Sequence, residues 1–198
     1  MRQAVAGTGH SNSQAVLSIR MAYGMVAIAA GSQGSHPLGR DGVPGDVFLV
    51  RGKGAEDALA VFERYVPGGA RLLSITRTFP DKLSFPLSLG CSDIYWLTGL
   101  VGEKRISPSS LGRIVSIVKN FIENSPGTAI FLEGIEYLVL ENDFNSVLKM
   151  LGQLSDLAVH HSATMVVFVD SVALTQRESA LIERTCSASA VEVQQDQL

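Results

Sequence analysis

The chain of 198 residues is long enough for one domain with extensions or for two very small domains, and its 46% hydrophobic content suffices for a sizeable core. A formal net charge of −3, without a dense run of lysine or arginine, argues against global attraction to nucleic acid or to an anionic membrane. The two cysteines, Cys91 and Cys186, lie far apart in the sequence. We therefore expect two separate reduced thiols, no disulfide framework and a cytoplasmic location.

Residues 1–45 are predicted to form an extension outside the compact domain. The polar start is followed by an apolar segment, residues 14–30, and then by a linker rich in glycine, serine and proline. The apolar segment is predicted to be a helix that packs on the fold or binds a partner. Arg20 near its middle argues against a membrane span, so contact with a membrane surface, or a targeting role, is the alternative.

Strands alternate with amphipathic helices between residues 46 and 186, which predicts an α/β domain. The predicted strands are residues 46–50, 71–76, 93–98, 128–132 and 165–169. The predicted helices are residues 55–66, a helix that starts at Ser107, residues 143–159, and a last helix that opens with a capping box of Thr175 and Glu178. This alternation is typical of a parallel sheet of about five strands flanked by helices in three layers. The polar tail, residues 187–198, forms a short edge strand at Val191 and Val193 or no strand.

The junction at Arg51-Gly52-Lys53-Gly54 lies where phosphate-binding loops occur, between a buried strand and a helix. A working loop has the spacing G-x-x-x-x-G-K-[ST], so that backbone N–H groups wrap the phosphates and a hydroxyl holds Mg²⁺. Here no hydroxyl follows Lys53, and the loop is short. Glu56 and Asp57 already supply negative charge to the helix N-terminus, where a phosphate would bind. We therefore predict a nucleotide-binding architecture without ordinary nucleotide chemistry.

Glu133 follows the fourth predicted strand, at the position where phosphate-loop ATPases hold Mg²⁺ with a carboxylate. A carboxylate binds Mg²⁺ best beside substrate phosphates. Without a working loop we expect a structural role instead, in which Glu133 pairs with Arg51, Lys53 or Arg77 or accepts from backbone N–H groups. If a nucleotide does bind, the cofactor-binding residues are Arg51, Gly52, Lys53, Gly54 and Arg77, and the metal ligand is Glu133. No catalytic residue is predicted.

Four stretches together resemble one family. They are residues 127–142 (GTAIFLEGIEYLVLEN), 166–170 (VVFVD), 74–78 (SITRT) and 106–110 (ISPSS), and they resemble the archaeal domain of unknown function 835 family over about residues 46–186. The resemblance implies a RecA/KaiC-type fold that has lost its phosphate loop, with strand order 5-1-4-3-2. It also implies an association with sensory and signal-transduction domains. The family's acidic position after strand four is commonly aspartate, whereas this chain has Glu133.

We therefore expect a non-catalytic signalling or protein-interaction module on a degenerate nucleotide-binding fold, from an archaeon and without a cofactor. Its partner is expected to be another protein or a second copy of the chain. Nucleic acid is not expected, because no basic stripe is present. The partner surface is either the crevice at the strand ends or residues 14–30. The alternative is an ATP-binding or ATPase domain with an atypical phosphate loop, which binds ATP with magnesium.

Overall fold

The computed structural model describes residues 19–20, 25–29, 45–54, 58, 66, 69–83, 90–125, 127–170, 172–186 and 189–195. Its strands are β1 (Ile19–Arg20), β2 (Met25–Ala29), β3 (Val47–Gly52), β4 (Arg71–Thr76), β5 (Gly90–Leu97), β6 (Arg105–Ile106), β7 (Thr128–Leu132), β8 (Thr164–Asp170) and β9 (Ser189–Gln195). Its α-helices are α1 (Leu111–Glu123), α2 (Ile135–Glu141), α3 (Phe144–His160) and α4 (Gln176–Thr185). A short 3-10 helix spans Pro80–Lys82.

The described strands form one sheet in the order β1-β2-β9-β3-β8-β7-β4-β5-β6. From β9 to β5 all neighbours are parallel, and β6 adds two residues parallel to the end of β5. At the opposite side β2 runs antiparallel to β9, and β1 antiparallel to β2. The parallel centre with its flanking helices confirms the predicted α/β fold class.

The central strands are buried on both faces, which explains their continuous apolar sequences. Every residue of β7 is buried, as are all residues of β8 except its last. One face of the sheet packs against all four described helices, with a core that includes Leu49, Ile130 and Val167. The other face buries Phe48, Phe131 and Phe168 together with Ala58 and Val66.

The prediction of an apolar helix over residues 14–30 is wrong wherever the structure describes this segment. Ile19–Arg20 and Met25–Ala29 are strands, and β2 pairs with β9. The extension and the tail therefore both contribute to the sheet, and β9 lies inside it, between β2 and β3, rather than at an edge. Short apolar runs fit a strand as well as a helix, so the sequence pattern alone did not separate the two. The rest of residues 1–45 and 187–198 lies outside the described part of the chain.

The strand order that the resemblance implies is wrong for the five strands predicted from the sequence. Those strands follow the order 1-5-4-2-3 rather than 5-1-4-3-2. The sheet follows the implied order if β9 is counted as the fifth strand and β5 is left out as an addition at the edge. Strands one to five are then β3, β4, β7, β8 and β9. The error arose because the polar tail was not counted as a strand of the sheet, while residues 93–98 were counted among the five.

The helix boundaries agree with the sequence in part. The capping box of Thr175 and Glu178 is confirmed at the start of α4. The predicted start at Ser107 is wrong, because Ser110 is the N-cap and α1 begins at Leu111. The short helix α2 was not predicted, and of the predicted helix over residues 55–66 only Ala58 and Val66 are described, Ala58 as helical. None of the helices in the described ranges has the length and apolar content needed to cross a membrane.

Candidate functional site

The carboxyl ends of the parallel strands meet at one side of the sheet, which we call the carboxyl edge. Ligands of open α/β sheets bind beyond this edge. The predicted site residues follow or end three of its strands: Arg51 to Gly54 at β3, Arg77 at β4 and Glu133 at β7. Since β8 and β7 lie between β3 and β4, Arg51 and Arg77 are three strand spacings apart, about 14 Å across the sheet.

The turn at residues 51–54 holds its arginine against a helix. Arg51 Nη2 donates to Glu183 Oε2 of α4 at 2.7 Å, and the Arg51 side chain is 20% exposed. Gly52 is buried and lies beside Asp170 in the parallel pair of β3 and β8, whereas Lys53 is exposed. Glu56 and Asp57, which are predicted to lie in the first turn of the next helix, are outside the described residues.

Arg77 is held by different partners. Its Nη1 donates to the Leu97 carbonyl oxygen at 3.2 Å, and its guanidinium carbon lies 4.5 Å from the centroid of the Tyr137 ring. A guanidinium over an aromatic face is attracted by the ring quadrupole. The structure therefore does not bring Arg51 and Arg77 together, and each arginine supports the packing of its own strand end.

Glu133 joins the end of β7 to the turn after β4. The residue is 6% exposed, and its Oε2 accepts hydrogen bonds from the Thr76 hydroxyl, from the Arg77 backbone N–H at 2.7 Å and from the Thr78 backbone N–H at 2.9 Å. Its own backbone N–H donates to the Ile75 carbonyl oxygen at 2.9 Å. Hydrogen bonds to a carboxylate are about twice as strong as neutral ones. The predicted structural role, acceptance from nearby backbone N–H groups, is confirmed.

A metal-binding role for Glu133 stays a prediction. Within the described ranges, no group of three or more histidine, cysteine, aspartate or glutamate side chains is placed to hold a metal ion. Glu136 interacts electrostatically with two other carboxylates, those of Glu133 and Asp170. Burial raises the pKa of Glu136 above its ordinary value, and the negative charges of Glu133 and Asp170 raise it further. Oε2 of Glu136 is buried and has no hydrogen-bond partner among the described residues.

Gly134 sets the direction of the chain between β7 and α2. Its φ of 95° is a left-handed conformation that favours glycine, and a Cβ at this position would lie 2.7 Å from the Arg77 Cβ. The tight turn leaves Glu133 in contact with the end of β4 and places Glu136 in the first turn of α2.

Sequence reasoning did not predict that Glu133 binds Thr76 and Thr78. The only available signal was that both stretches belong to the same family resemblance.

Several exposed apolar side chains lie close in sequence to the carboxyl ends of strands. The large hydrophobic residues that are exposed in the described part of the chain are Phe79 (45%), Leu100 (59%), Val101 (97%), Leu140 (82%), Val159 (57%) and Val172 (79%). Phe79, Leu100, Val101 and Val172 lie within the first few residues after the carboxyl ends of β4, β5 and β8. Scattered apolar residues are normal at a protein surface, whereas apolar residues gathered on one side indicate an interaction site.

Comparisons with known proteins support the fold and the family. Eleven chains of solved structures match. One of them, from a structural study of a protein of Pyrococcus horikoshii OT3, is 17% identical with a TM-score of 0.51, and the match covers 77% of this chain and 83% of that chain. At this identity the likeness shows the fold alone. No match is found among curated proteins. A family model described as a protein of unknown function (DUF835) matches residues 52–186, which is more than half of the chain. The protein therefore belongs to the DUF835 family.

Proposed function

We propose that this protein is a non-catalytic protein-interaction module in archaeal signal transduction, built on a nucleotide-binding fold that has lost its phosphate loop. The observation that carries the proposal is the engagement of Glu133. A carboxylate that serves Mg²⁺ must direct its oxygens to the ion. Oε2 of Glu133 instead accepts three hydrogen bonds from Thr76, Arg77 and Thr78. Glu133, at the position where phosphate-loop ATPases hold Mg²⁺, thus connects the end of β7 to the turn after β4.

The strand order and the turn at residues 51–54 support this origin. The series β9-β3-β8-β7-β4 follows the order that the resemblance to RecA/KaiC-type domains implies, with β5 and β6 added at one side. The sequence at residues 51–54 lacks the spacing of a phosphate loop and has no hydroxyl after Lys53. Arg51, the basic residue at its start, is paired with Glu183.

The exposed apolar residues of the carboxyl edge support a protein partner. Leu100, Val101 and Val172 each leave more than half of their surface in water. Burial of apolar surface contributes roughly 25 cal/mol per Å², so a partner that covers these side chains gains affinity from them. We propose this edge, rather than residues 14–30, as the principal partner surface.

Isothermal titration of the full chain with ATP·Mg²⁺ tests the absence of nucleotide chemistry. We expect no saturable heat at nucleotide concentrations up to the millimolar range, and the same result with ADP·Mg²⁺. Addition of Mg²⁺ alone is expected to leave the midpoint of thermal unfolding unchanged, because a ligand stabilises a protein only if it binds the folded state. Saturable micromolar binding of ATP·Mg²⁺, accompanied by turnover, would refute the proposal.

The alternative function is nucleotide binding through an atypical loop. It is favoured by the exposed Lys53 at the end of a buried strand, and by the position of Asp170 beside Gly52. Under this alternative, Lys53→Ala removes the stabilisation that ATP·Mg²⁺ gives to the wild-type protein. Lys82→Ala is the matched control, since Lys82 is an exposed lysine in a different segment of the same edge. Equal responses of the two variants would exclude a site at Lys53.

A further inference from the structure

The loop formed by residues 98–104 presents two apolar side chains on a fixed support. It leaves β5 at the carboxyl edge and returns as β6, parallel to β5, so that its tip extends past the strand ends. Leu100 is 59% and Val101 97% exposed. The backbone beneath them is held by the Thr98 hydroxyl, which accepts from Leu100 N–H at 3.2 Å, and by Arg105 Nη1, which donates to the Val101 carbonyl oxygen at 3.1 Å.

Trp96 and Phe79 extend this apolar surface. Trp96 Nε1 donates to the Arg77 carbonyl oxygen at 3.0 Å, and the Phe79 ring meets the indole edge-on with their centroids 5.2 Å apart. The Arg105 guanidinium carbon lies 5.8 Å from the Trp96 centroid. A Cβ on Gly102 would lie 3.0 to 3.2 Å from three side-chain atoms of Arg105, so the glycine gives this arginine room to pack against the loop. The surface is therefore organised before any partner arrives.

The same region is more basic than the rest of the chain. In residues 77–83 and 93–105 there are four basic side chains and three acidic ones, a net charge of +1, whereas the whole chain carries −3. Two of these side chains form an ion pair with each other, since Lys104 Nζ lies 2.8 Å from Asp93 Oδ1. Arg105 has five N–H donors, and the bond to Val101 uses only its Nη1 group. Its remaining donors can form a fork with a carboxylate.

We propose that Phe79, Trp96, Leu100, Val101 and Arg105 form a docking patch for an acidic amphipathic segment of a partner protein. This inference rests on the proposed interaction function and specifies the chemistry of the partner. Tryptophan and arginine are the residues most enriched among those that dominate binding energy in protein interfaces. The partner's apolar side chains cover Leu100, Val101 and Phe79, and its carboxylates pair with Arg105 and with the exposed cations nearby.

Two other occupants fit the patch less well. A net charge of +1 attracts any anionic partner only weakly, but an acidic segment can place a single carboxylate against the guanidinium of Arg105, whereas a membrane surface presents charge diffusely. A second copy that docked through the same patch would bring two positively charged regions together. An acidic segment is favoured both by the apolar contact and by the sign of the charge.

Selection of peptides on the full chain tests the proposal. A display library of random twelve-residue peptides is panned against the immobilised protein, and an enriched peptide without tryptophan is synthesised and titrated. Trp96 is the only tryptophan of the chain, so its fluorescence reports on the patch directly. We expect the enriched peptides to combine aspartate or glutamate with leucine, isoleucine or phenylalanine, and we expect their affinity to fall as salt is added.

Substitutions locate the binding. Val101→Asp and Leu100→Asp are each expected to weaken binding at least about tenfold, because they place a charge in an apolar contact and repel the acidic peptide. Lys82→Glu, which changes an exposed charge beside the patch, is expected to weaken binding by a smaller factor and to reduce the salt dependence. Val159→Asp is the matched control, since Val159 is 57% exposed at the end of α3 and outside the carboxyl edge. Urea denaturation establishes that each variant is folded.

Several outcomes overturn the proposal. They are the absence of enriched peptides, enrichment of basic peptides, and equal loss of binding in Val159→Asp. A wild-type dimer that dissociates in Val101→Asp, measured by light scattering, would identify a second copy as the occupant. Sedimentation with phosphatidylserine vesicles that depends on Val101 would identify a membrane. If no peptide binds while ATP·Mg²⁺ still gives no heat, the docking patch is wrong and the non-catalytic role stands. Saturable ATP·Mg²⁺ binding with turnover refutes that role whatever the peptides do.

Discussion

Replacement of Glu133 by alanine separates a structural carboxylate from one that serves a ligand. The variant removes the acceptor of two backbone N–H groups, those of Arg77 and Thr78, which lie 2.7 and 2.9 Å from Oε2. A hydrogen bond to a charged group contributes roughly 1.5–3 kcal/mol. The Thr76 hydroxyl, which also donates to Oε2, keeps an alternative acceptor in the Thr78 carbonyl oxygen at 3.2 Å.

Two effects reduce this loss. Arg77 is exposed and Thr78 half-buried, so water replaces part of the lost hydrogen bonding. Removal of the Glu133 charge also relieves its repulsion of Glu136. We therefore expect Glu133→Ala to lower the free energy of unfolding by about 2–4 kcal/mol. Glu133→Gln keeps one acceptor oxygen but loses the charge, and we expect a decrease of about 1–2 kcal/mol.

Urea denaturation followed by Trp96 fluorescence measures both variants, since the Trp96 indole is bonded to the Arg77 carbonyl oxygen next to the site. Glu141→Ala is the control, because Glu141 is an exposed glutamate at the end of α2 and a surface substitution there should change stability by no more than about 0.5 kcal/mol. A change equally small in Glu133→Ala would refute the reasoning. If Mg²⁺ stabilises the wild-type protein but not Glu133→Ala, the metal-binding alternative is favoured.

Three further predictions concern neighbouring residues. Because the pKa of Glu136 is raised in the folded state, its own contribution to stability is expected to fall as the pH rises above the ordinary value of 4.5. In urea titrations Glu136→Gln should therefore be more stable than the wild type at pH 7 and lose this advantage below pH 4.5. Gly134→Ala should lower the free energy of unfolding by about 1–3 kcal/mol in the same assay, because φ is 95° there and an added Cβ would lie 2.7 Å from a side-chain atom. Gly112→Ala is the control and should not destabilise the protein, since the space around its Cβ is open. Burial raises the pKa of Cys186 to about 11. In the variant Cys91→Ser, a thiol reagent at pH 8 should therefore label the protein only after urea is added. Rapid labelling of the folded protein would contradict the buried position of Cys186.

The sequence predicted those elements whose pattern is local. β7 reads as a strand because five consecutive residues, Thr128–Leu132, fit a position covered on both faces. The start of α4 was predictable because Thr175 and Glu178 satisfy each other's backbone N–H groups across one turn. β9 was not predictable in the same way. Its sequence is mostly small or polar, and its place depends on pairing with β2 and β3, which no local pattern encodes.

The candidate site shows the same division. The position of Glu133 at a strand end followed from the sequence, and so did acceptance of backbone N–H groups as one of its roles. The identity of its partners did not, because Thr76, Arg77 and Thr78 reach it only through the adjacency of β4 and β7. The exposed tip at Leu100 and Val101 was also missed, because a short apolar pair between two glycines looks like any turn until its exposure is known.

The placement of β3 affects how this chain can fold. Val47 pairs with Met165 and Phe48 with Ser189, so both neighbours of this early strand come from the last third of the sequence. Contacts of such high contact order form slowly, since a long loop must close before any pairing energy is gained. During synthesis on the ribosome, β3 is made long before either neighbour and waits with apolar side chains on both faces. Until β8 and β9 have been made, β3 is therefore an unpaired apolar strand, the kind of segment at which nascent chains aggregate.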